Sequence, residues 1–337
     1  MRSSAIVLAS RPTGAPGPEH FRTEAIEINE PHEGEVLLRV LYLSLDPYMR
    51  GRMSDAKSYA KPVPVGGIME GETVCEVTQS GSPEFKPGDI VRAMTGWCTH
   101  AVMDAKRVRH VNTYGAPIST ALGVLGMPGF TAYGGMKVIG QPRASETVVV
   151  AAASGPVGSL VGQLAMRAGA RAVGIAGGKD KCDYVKDALR FDAVVDHRSA
   201  DFVSELSRAC PDGVDVYFEN VGGHVWDAVF PLLNQYARVP VCGLIAQYND
   251  PGKGEQDRLP ATMSAILRRS LLLRGFINTE FVERYYEAFQ QEIGPLVASA
   301  QIKYREDIVD GLENAPDAFI GMLSGSNFGK LLVRISH

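Results

Sequence analysis

The stretch TVVVAAASGPVGSLVGQLAMRAG, residues 147–169, decides how this chain folds. Thr147 to Ala153 carry no charge, as expected of a strand in a parallel sheet covered on both faces. SGPVGS then breaks the run. Val157, Leu160, Val161, Leu164 and Ala165 recur at helical spacing, and Gly169 suits a helix C-terminal cap. Strand, glycine turn and helix in that order form a dinucleotide-binding arrangement. Gly155 permits a tight turn and Gly158 a close approach of helix to strand, so that N–H groups at the helix start face a pyrophosphate. Ala153 stands where the G-x-G-x-x-G pattern has its first glycine.

The same grammar continues downstream. ARAVGIAG, DAVVDHRS, VDVYFENVGG, RVPVCGLI and LLLRGFIN read as strands. KCDYVKDALRF, SADFVSELSRAC and HVWDAVFPLLN read as helices, the second with a good N-cap at its start. Alternating strands and helices predict a doubly wound α/β sheet. Upstream, ALGVLGMPGFTAYGGMKVIG has helical spacing interrupted by Pro128 and glycines. Before it, AIVLAS, EVLLRVLYLSL, GETVCEVTQS and DIVRAMTGW predict a curled β domain. After residue 279 come a long helix (281–300), a second (312–325) and a closing strand, GKLLVRIS.

With 337 residues, 45% hydrophobic and 21% charged, the chain has the composition of a globular protein of about two domains. A formal charge of -4 without long basic runs argues against nucleic-acid or membrane-surface partners. No apolar stretch approaches the roughly 20 residues of a membrane span. The N-terminal apolar run is too short for a signal peptide, which predicts a cytoplasmic protein. The five cysteines are scattered and none are spaced C-x-x-C, so neither a disulfide framework nor a tetrahedral zinc site is expected.

The end of the second strand reads IAGGKDK, residues 175–181. An acidic residue there holds the ribose of NAD and would repel a 2′-phosphate. Gly177 and Gly178 leave that space open, Lys179 or Lys181 supplies positive charge, and His197 and Arg198 follow the next strand. The pocket is predicted to take NADPH rather than NADH.

Longer motifs carry a resemblance: LSLDPYMRGRM (43–53), LGVLGMPGFTAYGG (122–135), AAASGPVGSLVGQLA (151–165), AGGKDKC (176–182), FENVGG (218–223), PVCGLIAQYN (240–249), RGFIN (274–278) and LENAPDAFIGMLSGSNFGK (312–330). Over essentially its whole length the chain resembles the zinc-free, NADPH-dependent alkene reductases of the medium-chain dehydrogenase/reductase superfamily. Their members include prostaglandin reductases, plant double-bond reductases and bacterial curcumin reductases, and the DHRS segment and the tail look most like the last. The resemblance implies a GroES-like substrate domain over 1–123 and 306–337, with a Rossmann NADPH-binding domain inserted at 124–305. It also implies a homodimer joined through the Rossmann sheets, by way of LLLRGF.

By the family pattern, Gly155, Pro156, Val157, Gly158 and Ser159 meet the pyrophosphate. Lys181 matches the lysine that binds the 2′-phosphate, and His197 stands where prostaglandin reductases carry a tyrosine; with Gly178 and Arg198, read from the residues alone, they surround that phosphate. Met127 and Thr131 flank the nicotinamide and its ribose. Asn220, Cys242, Gly243, Leu244, Ile245, Tyr248, Phe276, Ile277, Asn278 and Asn327 line the rest. Zinc-bearing relatives place a Cys near Asp46 and a His-Glu pair near GGIMEG (66–71), and this chain has neither. The implied activity is reduction of the carbon–carbon double bond of a hydrophobic enal or enone, with hydride to the β-carbon and donors near the carbonyl oxygen. The alternatives are an NADPH quinone reductase and a non-catalytic NADPH-binding protein. Tyr48 and Tyr248 are the expected catalytic donors, and Tyr48, Met49, Tyr59 and Tyr248 the substrate contacts. The tyrosine that some prostaglandin reductases carry shortly before the segment matching RGFIN is missing from SAILRRSLLLRGF. Arg50 and Arg52 are expected to fix their loop through ion pairs.

Overall fold

The computed structural model describes residues 1–249 and 258–336. The chain divides into two compact units, Met1–Gly123 with Glu306–His337, and Val124–Arg305. In the first, β1 (Arg2–Leu8) and β2 (Phe21–Glu27) pair as an antiparallel ribbon. β3 (Glu35–Ser44) is nearly all apolar and half-buried or buried throughout, and it is the centre of a second sheet. It pairs with β4 (Thr73–Ser80) and β6 (His100–Asp104), while β5 (Ile90–Ala93) pairs with β4 and with β7 (Arg109–His110). A single helical turn, α1 (Met49–Arg52), follows β3.

The second unit begins with α2 (Met127–Gly134), which widens into a π turn over Gly135–Gly140. Pro128 lies in the first turn of α2 rather than interrupting it, because a proline there lacks only an N–H that would have no helical partner. Then follow β8 (Thr147–Val150), α3 (Pro156–Arg167), β9 (Arg171–Ala176), α4 (Lys179–Asp183), β10 (Ala193–Asp196) and α5 (Phe202–Ala209). α5 is preceded by Asp201, whose side chain makes no cap bond, so the expected N-cap is a backbone turn only. β11 (Val214–Phe218), α6 (Gly223–Val229), β12 (Leu233–Val241), α7 (Leu259–Arg269), β13 (Leu272–Gly275) and α8 (Val282–Ala298) complete the unit. β12 starts five residues earlier than RVPVCGLI suggests, directly after the short helical turn Phe230–Leu232.

Among the described residues the six strands are parallel, in the order β10-β9-β8-β11-β12-β13. Numbered within the unit this is 3-2-1-4-5-6, the doubly wound order of a Rossmann sheet. Val148, Val149 and Val150 are wholly buried, and each such side chain contributes about 1.5–3 kcal/mol relative to exposure.

The chain then returns to the first unit. β14 (Glu306–Asp310) was not foreseen from its acidic sequence; it is a partly exposed strand at the sheet edge. α9 (Ala315–Leu323) follows, and β15 (Lys330–Arg334) inserts between β14 and β3. No described helix is long and apolar enough to cross a membrane.

Candidate active site

The sheet order reverses between β8 and β11, and the loops at their carboxyl ends meet there: Asn220 Nδ2 donates to the Ala151 carbonyl at 2.9 Å. Such a switch point is where open α/β sheets bind ligands. Gly155 caps α3 and Pro156 opens it. A Cβ on Gly158 would lie 2.4 Å from the Ala152 carbonyl oxygen, so only glycine lets α3 start this close to the strand. The cradle therefore fits a pyrophosphate lying against backbone.

At the end of β9 a Cβ on Gly177 would meet His197 Nε2 at 2.6 Å and Arg198 Nε at 3.0 Å. Two basic side chains thus occupy the place where a NAD-type pocket has its carboxylate. The Asp196 carboxylate is engaged by backbone: it accepts from the N–H groups of Gly178 (3.0 Å) and Arg198 (2.9 Å). Burial pushes its pKa up, but those two donors with His197 and Arg198 outweigh burial and hold it below the usual range. Lys181 lies half-buried on α4, while Lys179 points outward and pairs with Asp183.

Around the switch point the remaining residues group in two sets. Thr131 Oγ1 donates to the Met127 carbonyl at 2.8 Å and accepts from Asn278 Nδ2 at 3.1 Å, so these three form one cluster. Phe276 is buried against Phe218 and Phe281, beneath Ile277. In the second set, the N–H groups of Cys242 and Gly243 both donate to the Glu219 carbonyl (2.9 and 3.2 Å), and Ile245 N–H to that of Asn220 (3.3 Å). The Tyr248 hydroxyl folds back toward Gly243, 3.1 Å from where a Cβ would stand, with Leu244 and Ile245 in the intervening turn. Glu219 itself, which sequence reasoning passed over inside FENVGG, is fully buried and accepts from the N–H groups of Val221 (2.6 Å) and Gly222 (2.9 Å). It fixes the loop that carries Asn220.

Tyr48, Met49, Tyr59 and Asn327 belong to the first unit. The Arg52 guanidinium lies over the rings of both Tyr48 (5.3 Å to the centroid) and Tyr59 (4.5 Å) and donates to Glu70 at 3.1 Å. Arg50 donates to the Gly14 carbonyl at 2.7 Å. Arg52 thus makes the ion pair expected of it. Burial first, then the carboxylates of Asp46, Glu70 and Glu72, push the Tyr48 phenol well above its ordinary pKa. Met49 is wholly buried in a core cluster with Leu45, Met53, Met69 and Trp97. Asn327 Nδ2 donates to the Gly329 carbonyl at 3.0 Å.

Residues 4–111 match the family described as N-terminal domain of oxidoreductase, and residues 156–293 the one described as zinc-binding dehydrogenase. NADPH-dependent curcumin reductase of Escherichia coli is 51% identical over 98% of this chain and 96% of its own length. The chain belongs to the alkenal/one reductase family of medium-chain dehydrogenases/reductases. In that family the NADP(+)-dependent 2-alkenal reductase of Nicotiana tabacum is 37% identical, over 98% of this chain and 97% of the relative. The structure of CurA from Vibrio vulnificus in complex with NADPH superposes with a TM-score of 0.95 at 50% identity, covering 99% of both chains.

Zinc, which one family description mentions, does not fit the donors present in this alkenal/one reductase family chain. Among the described residues no three His, Cys, Asp or Glu side chains are grouped to hold a metal. Asp46 is already paired with a cation, the Lys330 ammonium, at 2.8 Å.

Proposed function

We propose that this chain reduces the carbon–carbon double bond of α,β-unsaturated aldehydes and ketones with NADPH. One observation carries the reading: a chain half identical to NADPH-dependent curcumin reductase along nearly its full length keeps a glycine cradle and, at the end of β9, a glycine turn faced by His197 and Arg198. NADPH, when bound, supplies the hydride; the β-carbon receives it, the α-carbon receives a proton, and NADP+ is released.

The residues divide the remaining work. Gly155 to Ser159 hold the pyrophosphate, and Lys181, His197 and Arg198 the 2′-phosphate. Thr131, held by Asn278, and Met127 orient the nicotinamide end. Asn220 and the Cys242–Ile245 turn support the cofactor from the switch point, with Phe276 and Ile277 beneath; Asn327 is a further cofactor contact. Tyr48 and Tyr248 are the donors for the carbonyl oxygen as negative charge gathers there. Tyr48 suits the task because its raised pKa keeps the proton on the hydroxyl. Tyr59 covers the substrate loop. The first unit is the GroES-like substrate domain and the second the cofactor domain.

A homodimer joined through β13 is part of this reading. β13 is an edge strand, and α7 exposes Leu259, Met263 and Leu267 at helical spacing next to it in sequence. A second copy extending the sheet would cover them. Five free thiols fit a reducing cytoplasm.

The test is loss of reduced nicotinamide absorbance with trans-2-nonenal, 3-nonen-2-one, curcumin and a benzoquinone, using NADPH and NADH in parallel. Enone-dependent turnover yielding a product heavier by two hydrogens is expected. Turnover of the quinone alone, or none with tight NADPH binding, would overturn the assignment.

A further inference from the structure

His197 and His224 stand ring to ring, one after β10 and the other in the first turn of α6. Nδ1 of His197 lies 3.3 Å from Nε2 of His224, with centroids 5.3 Å apart and planes at 47°. Phe202 of α5 meets the edge of His224 at 6.0 Å. The other nitrogen of His197, Nε2, is the atom 2.6 Å from a Cβ on Gly177. One side of the His197 ring is therefore engaged by His224, and the other is turned to the space that the glycines leave.

We propose that His224 is a specificity-determining residue that positions His197, keeping the Nε2–H of its neutral ring turned toward a 2′-phosphate. The inference rests on the NADPH reading above. When His224 Nε2–H donates to Nδ1, neutral His197 must carry its proton on Nε2, where it donates toward a 2′-phosphate. A further proton turns the pair into an imidazole–imidazolium unit beside Arg198. The groups facing His197 are Asp196 and Arg198 from its own turn, His224 from α6, and Gly177 and Gly178 from the β9–α4 turn, with Lys181 on α4 beyond them; from α5, Glu205 bonds Ser199 at 3.4 Å. Burial, then His224 and Arg198, hold the His197 pKa below its ordinary value against the pull of Asp196. The free pocket is thus neutral at this position near pH 7, and an anion opposite Nε2 raises that pKa. A proton accompanies the ligand. Affinity for the 2′-phosphate rises as pH falls between the bound and free values, and levels off below both.

The test is calorimetric Kd and proton uptake of the full chain for NADPH, NADH and 2′,5′-ADP at about pH 6 and pH 8, comparing wild type with His224→Phe and His224→Gln. The ionisation of the phosphate itself is common to all three proteins and cancels. The wild-type NADPH-to-NADH affinity ratio is expected to exceed that of His224→Phe about three- to tenfold at the higher pH, where His197 is neutral and its tautomer matters, and the two should converge at the lower pH, with NADH affinity alike. His224→Gln keeps a donor to Nδ1 and should match wild type at both. A wild-type ratio in His224→Phe at the higher pH would overturn the inference alone. Equal binding of NADH and NADPH by wild type would overturn the cofactor reading and this inference with it.

Discussion

Lys330 Nζ lies 2.8 Å from Asp46 Oδ1 and 2.7 Å from the Leu45 carbonyl oxygen, and both side chains of this ion pair are almost completely buried. The pair ties β15 to the residue two before Tyr48. Lys330→Met leaves the Asp46 carboxylate buried without its cation, at a cost of about 3–5 kcal/mol. Trp97 is wholly buried in the first unit, so its fluorescence in a Trp226→Phe background reads this loss as a lower urea midpoint. Lys330→Met with Asp46→Leu should recover most of it.

The Tyr48 hydroxyl is predicted to act as a donor. Tyr48→Phe should lower kcat on the order of 10²–10³-fold while leaving the NADPH Kd unchanged. Since burial and three carboxylates push its pKa up, Tyr48 keeps its proton through the alkaline range, and the wild-type rate should show no tyrosine limb below about pH 10. If Tyr248→Phe carries the larger loss, the roles of the two tyrosines exchange.

Gly177→Asp places a carboxylate against the pocket of His197 and Arg198. A new Cβ meets only the ends of flexible side chains there, so the fold should survive. The carboxylate repels the 2′-phosphate and accepts from ribose hydroxyls, and the NADPH-to-NADH ratio of kcat/KM should fall roughly 10²-fold.

Thiol chemistry offers a check on burial. Burial pushes Cys75 up to about 12 and Cys98, Cys182 and Cys210 each to about 11. At pH 8 on the order of one thiol in a thousand is ionised at such a value, so iodoacetamide should label these cysteines at least about 100-fold more slowly in the native than in the urea-unfolded protein. Mass spectrometry of timed digests measures it, and rapid native labelling of Cys75 would contradict the packing.

Paired substitutions Met263→Glu and Leu267→Glu on the exposed stripe of α7 should leave one chain of 36.3 kDa in solution, measured by light scattering. Wild type is expected to run as a dimer, and an unchanged mass in the double variant would remove α7 from the interface.

The second unit could be read almost strand by strand, because a sheet buried on both faces writes unbroken apolar runs such as Thr147–Val150 and because glycines mark its turns. Other features left no such local signal. β14 has three acids in five residues and looks like a loop; only pairing with β15 makes it a strand. Lys330 at the head of an apolar strand resembles an exposed lysine, and its partner lies 284 positions away. His224 reads as a solvated helix residue, and nothing local reports that β10 brings His197 to it. Met49 reads equally as pocket wall or core. Spacing along the chain records periodicity but not which side of a loop faces in.

The place of β15 has a consequence for how the molecule is made. Val124–Arg305 is contiguous and has all its strands once it leaves the ribosome. The first unit does not: the edge of β3 that Lys330–Arg334 will cover waits through the synthesis of the entire second unit. Non-local pairing of this kind is slow and leaves a strand edge open to other chains. A ribosome that stalls before Lys330 would therefore release a finished second unit attached to an unclosed, aggregation-prone first one.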